Sequence, residues 1–414
     1  MIEVGKEQSW TGRIGHGFAD DRTFWKMTAL VLGTVSLLKG ARYPSRWSAT
    51  QVLINYDFGL IKRGLFGATF GNWLHLEHYK RFSLVSYILL AVFIGLLVLF
   101  TFQAGVLKKL GSVEAVALFC GSCTLTFMAH LVGYMDIPLG ILTVLLLLIR
   151  SSSVRMMAAV PVCLIGILIH ESFLVVFFPC VLFSFVLDIV WVTEARRRAS
   201  LWAFLSILVL AVLSLTVGLA LKTRLTQDQI SALRVEGIKR ADFPIREDVF
   251  DLLRHSTGQN IVSMKDHFLQ PWMDLIYIED KLIYGATIVL LLACVITLIK
   301  ETENKEHRRM VAGGAVLAAC APILMMFLGW DFARWDALCC LDCFLVLLTL
   351  CRVAPAPVPR LSGGYRNAVI LTIALSMASS GGLMDNVQPN EFPFFDSAIA
   401  VVHDLRRGGW VPKE

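Results

Sequence analysis

Leu84-Val-Ser-Tyr-Ile-Leu-Leu-Ala-Val-Phe-Ile-Gly-Leu-Leu-Val-Leu-Phe-Thr-Phe-Gln-Ala-Gly-Val-Leu107 is 24 residues long and carries no charge. A bilayer's hydrocarbon core takes about 20 apolar residues to cross as a helix. The run therefore predicts a membrane-spanning helix, and working outward from it gives ten companions: 24–40, 113–131, 137–150, 156–170, 171–192, 200–221, 281–299, 310–329, 336–351 and 367–384. The first is short, with Met27 to Leu38 enclosed by Lys26 and Lys39, whose charges must snorkel to water. The stretch 156–192 exceeds one helix, and His170-Glu171 divides it into a hairpin. The expected fold class is all-α: a polytopic transmembrane helical bundle of about 11 spans, with interfacial helices in the first outer loop.

Composition agrees. Of 414 residues, 56% are hydrophobic and 17% charged, with mean hydropathy +0.67. Soluble domains carry roughly 45–50% apolar and about 25% charged residues. A soluble, disordered or nucleic-acid-binding chain is thereby excluded. The ten cysteines lie in or at the ends of apolar runs. Cys120-x-x-Cys123 has no second pair or histidine cluster beside it, so the cysteines read as small hydrophobes.

Short-loop lysines and arginines set the orientation. With the amino terminus inside, fourteen fall in short cytoplasmic loops: Lys108, Lys109, Arg150, Arg155, Arg196, Arg197, Arg198, Lys300, Lys305, Arg308, Arg309, Arg352, Arg360 and Arg366. One, Arg334, falls in a short outer loop. The expected organisation is a cytoplasmic tail (1–23), a transmembrane domain (24–384) with a first outer loop at 39–83 and a long outer loop at 222–280, and an extracytoplasmic tail (385–414). The amino terminus has no cleavage site and reads as a retained tail.

The polar constellations gather on the outer face. Asn55-Tyr-Asp57 precedes Lys62-Arg63 in the first outer loop, and Asp57 is the only carboxylate between Asp21 and Glu77. A carboxylate there can take a proton from a hydroxyl nucleophile, and paired cations can neutralise a phosphate at headgroup depth. The same residues also suit a surface helix with a local Asp cap. His170-Glu171, where two apolar helices meet, can act catalytically or bind sugar hydroxyls, or Glu171 can cap the second helix. Trp330-Asp-Phe-Ala-Arg-Trp-Asp336 is a complete turn between spans. In it Trp330, Asp331, Arg334 and Trp335 suit a substrate site, since guanidinium binds phosphate bidentately and indole covers a sugar face. Asp136-Ile-Pro138 reads as a helix start, and Asp136 is a further substrate-binding candidate. Asp342 stands within a span among cysteines, a functional candidate without a named partner. No Walker loop, dinucleotide fingerprint or zincin helix is present.

With its acid, cations and interfacial helices in the first outer loop, the chain resembles the GT-C class of integral-membrane glycosyltransferases and related bacterial surface-polysaccharide polymerases. The resemblance implies a multi-pass protein of the bacterial cytoplasmic (inner) membrane, active in cell-envelope polysaccharide biosynthesis on the extracytoplasmic side. Its partners would be membrane lipid, a polyprenyl-phosphate-type sugar donor and a glycan or lipid acceptor. Asp57 carries over as the general base, with Lys62 and Arg63 as phosphate contacts. Many members have two adjacent acids in this loop where this chain has one, and many carry a large soluble carboxyl-terminal domain that it lacks. No cofactor or metal ligand is read, and a lone Asp57 leaves use of a divalent ion open. The alternative reading is a secondary transporter or flippase for a glycolipid or small anionic solute. Such proteins commonly show repeats and mid-membrane polar groups, whereas the polar groups here gather at one face.

Overall fold

The computed structural model describes residues 21–59, 61–108, 112–191, 201–211 (apart from 203, 205 and 209), 225–254, 275–301, 307–327, 331–353, 362–381 and 395–407. Every regular element among them is helical. The long helices are α1 (Asp21–Gly40), α3 (Tyr79–Gln103), α7 (Ser152–Ile169), α10 (Leu275–Lys300), α12 (Phe332–Val353) and α13 (Gly363–Ala378), with α2 (Arg46–Gln51) short between the first two. The expected span 113–131 is formed by two helices, α4 (Ser112–Gly121) and α5 (Cys123–His130). Further helices include α6 (Asp136–Leu148), α8 (Phe178–Trp191), α9 (Gln227–Arg240), α11 (Arg308–Cys320) and α14 (Asp396–Arg407).

Five helical stretches among the described residues are long and apolar enough to cross a membrane, or six if the bent α4–α5 pair counts as one. They are Tyr79–Gln103, Ser152–Ile169, Phe173–Val190, Ile278–Lys300 and Arg308–Phe327. The chain has the character of a membrane protein. Ten of the expected spans coincide with helices, but not all have spanning length. The 13 residues of α6 reach only about 20 Å at 1.5 Å per residue. The expected span 200–221 lies mostly outside the described residues.

Apolar surface explains the packing. In α12 a continuous buried run from Arg334 to Cys351 marks the bundle's centre. By contrast α3 leaves Leu84, Ile88, Val92, Val98, Leu99 and Phe102 exposed, the outward face of a helix meant for lipid rather than water. The first helix, α1, packs closely on α4 and α5, so closely that a Cβ at Gly40 would collide with the Thr126 carbonyl oxygen.

The two ends of the bundle differ. At one end Arg155 pairs with Asp188, Arg352 donates to the Leu147 carbonyl, and Arg366 stands 3.5 Å from Asp21. At the other, the loop segments bind one another. Arg42 donates to His130 O at 3.0 Å, Tyr79 Oη to Pro44 O at 2.6 Å and Tyr87 Oη to Arg42 O at 2.8 Å. The long loop folds onto the first one. Asp242 Oδ1 accepts the Tyr79 N–H at 2.8 Å, capping α3, whose own N-cap residue His78 supplies no side-chain cap. Thr50 Oγ1 accepts the Arg246 N–H at 2.9 Å.

Candidate functional site

The first loop is shaped by two short-range devices. Asn55 clasps Asp57: its Nδ2 donates to Asp57 Oδ2 at 2.5 Å, and its Oδ1 accepts the Asp57 N–H at 3.2 Å. This is the local side-chain turn that Asn and Asp favour. Asp57 is exposed, and among the described residues no cation stands at ion-pair distance from it. Farther on, a helical run from Gly64 to Leu74 crosses back over residues 52–56. It can do so because Gly64 lies against the Tyr56 ring and Gly67 against the Val52 and Ile54 carbonyls, where a Cβ would collide. The middle of that run, Gly67–Gly71, is a π-helix, a geometry common at functional sites.

The crossing aims Lys62-Arg63 at the 170–171 turn. Arg63 adopts left-handed backbone, φ 63°, at a cost of roughly 1–2 kcal/mol for a residue with a side chain. It grips Glu171 with a fork: Nη2 to Oε1 at 2.7 Å and Nε to both oxygens at 3.2 Å. Glu171 is packed about by protein yet keeps 44% of its side chain exposed. Burial pushes its carboxyl up, but Arg63, His170 and Lys62 prevail and hold it well below the usual carboxylate range.

His170 is buried, and its Nδ1 accepts the Ser172 N–H at 3.1 Å. A neutral ring arranged so carries its proton on Nε2, a tautomer inferred from this bond. The 3.6 Å separation from Glu171 is too long for a hydrogen bond. Burial, then Arg63, Arg334 and Lys62, hold the imidazole well below its ordinary value against the opposing pull of Glu171. His170 is thus a neutral donor in a neighbourhood of cations.

The second cluster is built on Arg334, in the first turn of α12. Its Nη2 stands 2.7 Å from Asp136 and its Nη1 3.1 Å from Asp331. The guanidinium lies over the rings of Trp335 (4.7 Å) and Tyr134 (5.6 Å). Arg334, Asp136 and Trp335 are buried, whereas Asp331 is half-exposed. With two carboxylates and a closed environment, Arg334 ties the start of α12 to the start of α6 rather than standing open to a ligand's phosphate. Asp136 likewise is a buried counter-ion, not an exposed contact. The two clusters adjoin: residues 64–66 pack on α7, and the turn 173–176 packs on α12.

Of the expected site residues, the structure thus brings together Lys62, Arg63, His170 and Glu171, with Asp136, Asp331, Arg334 and Trp335 alongside. Asp57 sits on the same loop, but its recorded contacts are with Asn55. Trp330 lies outside the described residues. A small, mostly apolar hollow is lined by Phe66, Phe82, Leu89, Tyr134, Ile137 and Pro138, among others, and by none of Lys62, Arg63, His170 or Glu171. Among the described residues, no group of three or more His, Cys, Asp or Glu is arranged to hold a metal ion.

Sequence reasoning did not anticipate Asn55, whose Asn-x-Asp spacing was an available signal for a side-chain turn. It also missed Lys281, which pairs with Asp336 and lies 5.8 Å from the Phe332 ring centre. Comparison with family models, curated proteins and solved structures finds no match for this chain.

Proposed function

We propose that the chain is a GT-C-like integral-membrane glycosyltransferase that moves a sugar or oligosaccharide unit from a polyprenyl-phosphate-type carrier to an acceptor hydroxyl. The observation that carries this reading is the Arg63–Glu171 pair at the loop end, whose carboxylate keeps 44% of its side chain exposed. Lys62 stands beside it, and Asp57, an exposed carboxylate with no cation at ion-pair distance among the described residues, lies six residues before Arg63 on the same loop. Asp57 takes the proton of the acceptor hydroxyl. The resulting oxygen nucleophile attacks the anomeric carbon from the face opposite the carrier, with inversion. The bond from that carbon to the phosphate oxygen breaks, leaving its electron pair on the phosphate, whose charge Lys62 and Arg63 stabilise. Glu171, held ionised by Arg63, serves to fix that guanidinium and accept sugar hydroxyls; His170 Nε2 is a donor for the same purpose. Arg334, Asp136, Asp331 and Trp335 hold the turn beside the site.

The same reading includes eleven spans, with the basic end cytoplasmic and the loop end and carboxyl terminus extracytoplasmic. Chain parity supports it: the chain stands at the basic end at Asp188 and at the loop end by residues 242–246. A transporter remains the second reading because Asp342, fully buried in α12 with neither carboxyl oxygen hydrogen-bonded among the described residues, is the mid-membrane acid such proteins use.

The test uses the full chain in vesicles with a lipid-linked sugar donor and candidate acceptors. Asp57→Asn should lower transfer by about 10²–10⁴-fold, as loss of a general base does, while Lys62→Ala should weaken donor binding. Undiminished transfer by Asp57→Asn removes it from the mechanism.

A further inference from the structure

The last carbonyls of α6 have no intrahelical donors, as at every helix end. Two arginines from elsewhere in the chain take them. Arg155, in the first turn of α7, donates through Nη1 to Ile149 O at 2.8 Å, and Arg352, at the end of α12, donates through Nη1 to Leu147 O. Cations complement the dipole at a helix carboxyl terminus, and acceptors two residues apart bring the two guanidinium groups together. Arg150 follows directly in the chain, exposed in the turn before α7.

Charge does not balance there. Asp188 of α8 is already engaged by Arg155 Nη2 and by Ser152 Oγ, which donates to it at 2.9 Å. Arg155 Nε is buried with no hydrogen-bond partner among the described residues. Arg352 is half-buried over the Phe100 ring, 5.5 Å from its centre, and among the described residues no carboxylate stands at ion-pair distance from it. Arg155 and Arg150 lie near enough to repel its charge. Three guanidinium groups thus share one carboxylate, and an anion brought to them relieves that repulsion. The surroundings are apolar and outward. Helix α6 packs on both α3 and α7. Val98, Leu99 and Phe102 beside Phe100 on α3, Leu145 on α6, and Val154 and Met157 on α7 are all exposed. In a chain of membrane character these are lipid-facing positions, so acyl chains reach the rim of the cluster. A guanidinium fork matches phosphate geometry, and basic pockets between transmembrane helices suit anionic headgroups.

We propose that the end of α6 is a headgroup seat for an anionic phospholipid. Arg352 and Arg150 hold its phosphate, the Arg155–Asp188–Ser152 set forms the fixed floor, and its acyl chains lie along α3 and α7. The inference requires the chain's membrane character. It is independent of glycosyl transfer, because the seat is at the end of the bundle opposite Lys62, Arg63 and Glu171.

The test follows melting of the full chain in a nonionic detergent as phosphatidylglycerol, phosphatidylcholine or inorganic phosphate is added, since a ligand that binds only the folded chain raises its melting temperature. Phosphatidylglycerol should stabilise at concentrations where phosphatidylcholine and inorganic phosphate do not. Arg352→Gln and Arg150→Gln should each raise the half-saturating concentration about tenfold or more, the usual effect of losing a charge-assisted hydrogen bond. Arg309→Gln, at an exposed arginine in the first turn of α11, should leave it unchanged. If Arg352→Gln fails to fold for want of its bond to Leu147, Arg150→Gln at its exposed position decides. No stabilisation by phosphatidylglycerol, or the same response in every variant, overturns the proposal, because no seat is then built from these arginines. Stabilisation by inorganic phosphate or phosphatidylcholine as strong as by phosphatidylglycerol also overturns it, because the ligand is then not an anionic lipid.

Discussion

Removing the Arg334 guanidinium strands the Asp136 carboxylate, whose side chain is 1% exposed, without its cation. Breaking a buried pair from one side costs roughly 3–5 kcal/mol, whereas replacing both partners with apolar groups is often neutral. Arg334→Leu should therefore lower the melting temperature in detergent sharply, and adding Asp136→Leu should recover most of the loss; an equally low double variant contradicts the counter-ion assignment. His170 obeys a different rule. Its proton affinity is depressed on folding, so below the ordinary value of 6.5 the unfolded chain binds a proton that the native chain refuses. Stability then falls with acidification at up to about 1.4 kcal/mol per pH unit until the native ring also titrates. Glu171 adds to the loss in the same direction, but only below its ordinary value of 4.5. Melting measured at pH 7.5 and 5.5 should show a drop that His170→Asn, which keeps an acceptor for the Ser172 N–H, largely abolishes. The residue types at these positions were legible, and so was the helix start at Asp136-Ile-Pro138. The pairings were not: Arg63 finds Glu171 and Arg334 finds Asp136 across more than a hundred residues, a separation at which no local spacing rule operates.

Elements were legible as apolar runs, and their interruptions less so. Helices occupy most of the described residues in the expected stretches from 24–40 to 367–384, broken at residues such as 149–150 and 170–172. Hydropathy reads 113–131 as one span because nothing charged interrupts its middle. The chain nonetheless bends by 47° between α4 and α5. Gly121-Ser122 stands at the break, the small-residue pair at which sharp kinks occur, and Ser122 Oγ accepts the Thr124 N–H at 3.2 Å to start α5. Ser122→Ala should cost about 1 kcal/mol, the usual penalty for losing an N-cap. A modest fall in melting temperature with unchanged helix content checks this; no change at all means the cap does not hold the bend. In the first loop, helices were expected in the interface, and short helices do occur from Arg46 to Gln51 and from Gly64 to Leu74. The π-helical centre of the latter follows from Gly67 approaching two carbonyls, a tertiary demand on an otherwise ordinary Gly-Ala-Thr-Phe-Gly sequence.

Across the whole molecule, loops far apart in sequence meet at one end of the bundle. Asp242 caps α3 across more than 160 residues, and Arg246 reaches Thr50 while its guanidinium lies 5.6 Å from the Trp47 ring centre. The sequence indicated this sorting through the crowding of basic residues into alternate short loops. It did not show that the long loop would cap the first one. That closure lies at the end of the bundle where Lys62 and Arg63 meet Glu171, with Asp57 on the same loop. The most direct measurement supplies sealed vesicles containing the chain with a carrier lipid bearing a labelled sugar, and follows where the label goes. Glycosyl transfer yields labelled acceptor and free carrier phosphate in equal amounts, both lost in Asp57→Asn. Intact labelled donor or free solute accumulating across the bilayer, with no covalent product, contradicts the account and makes the protein a transporter.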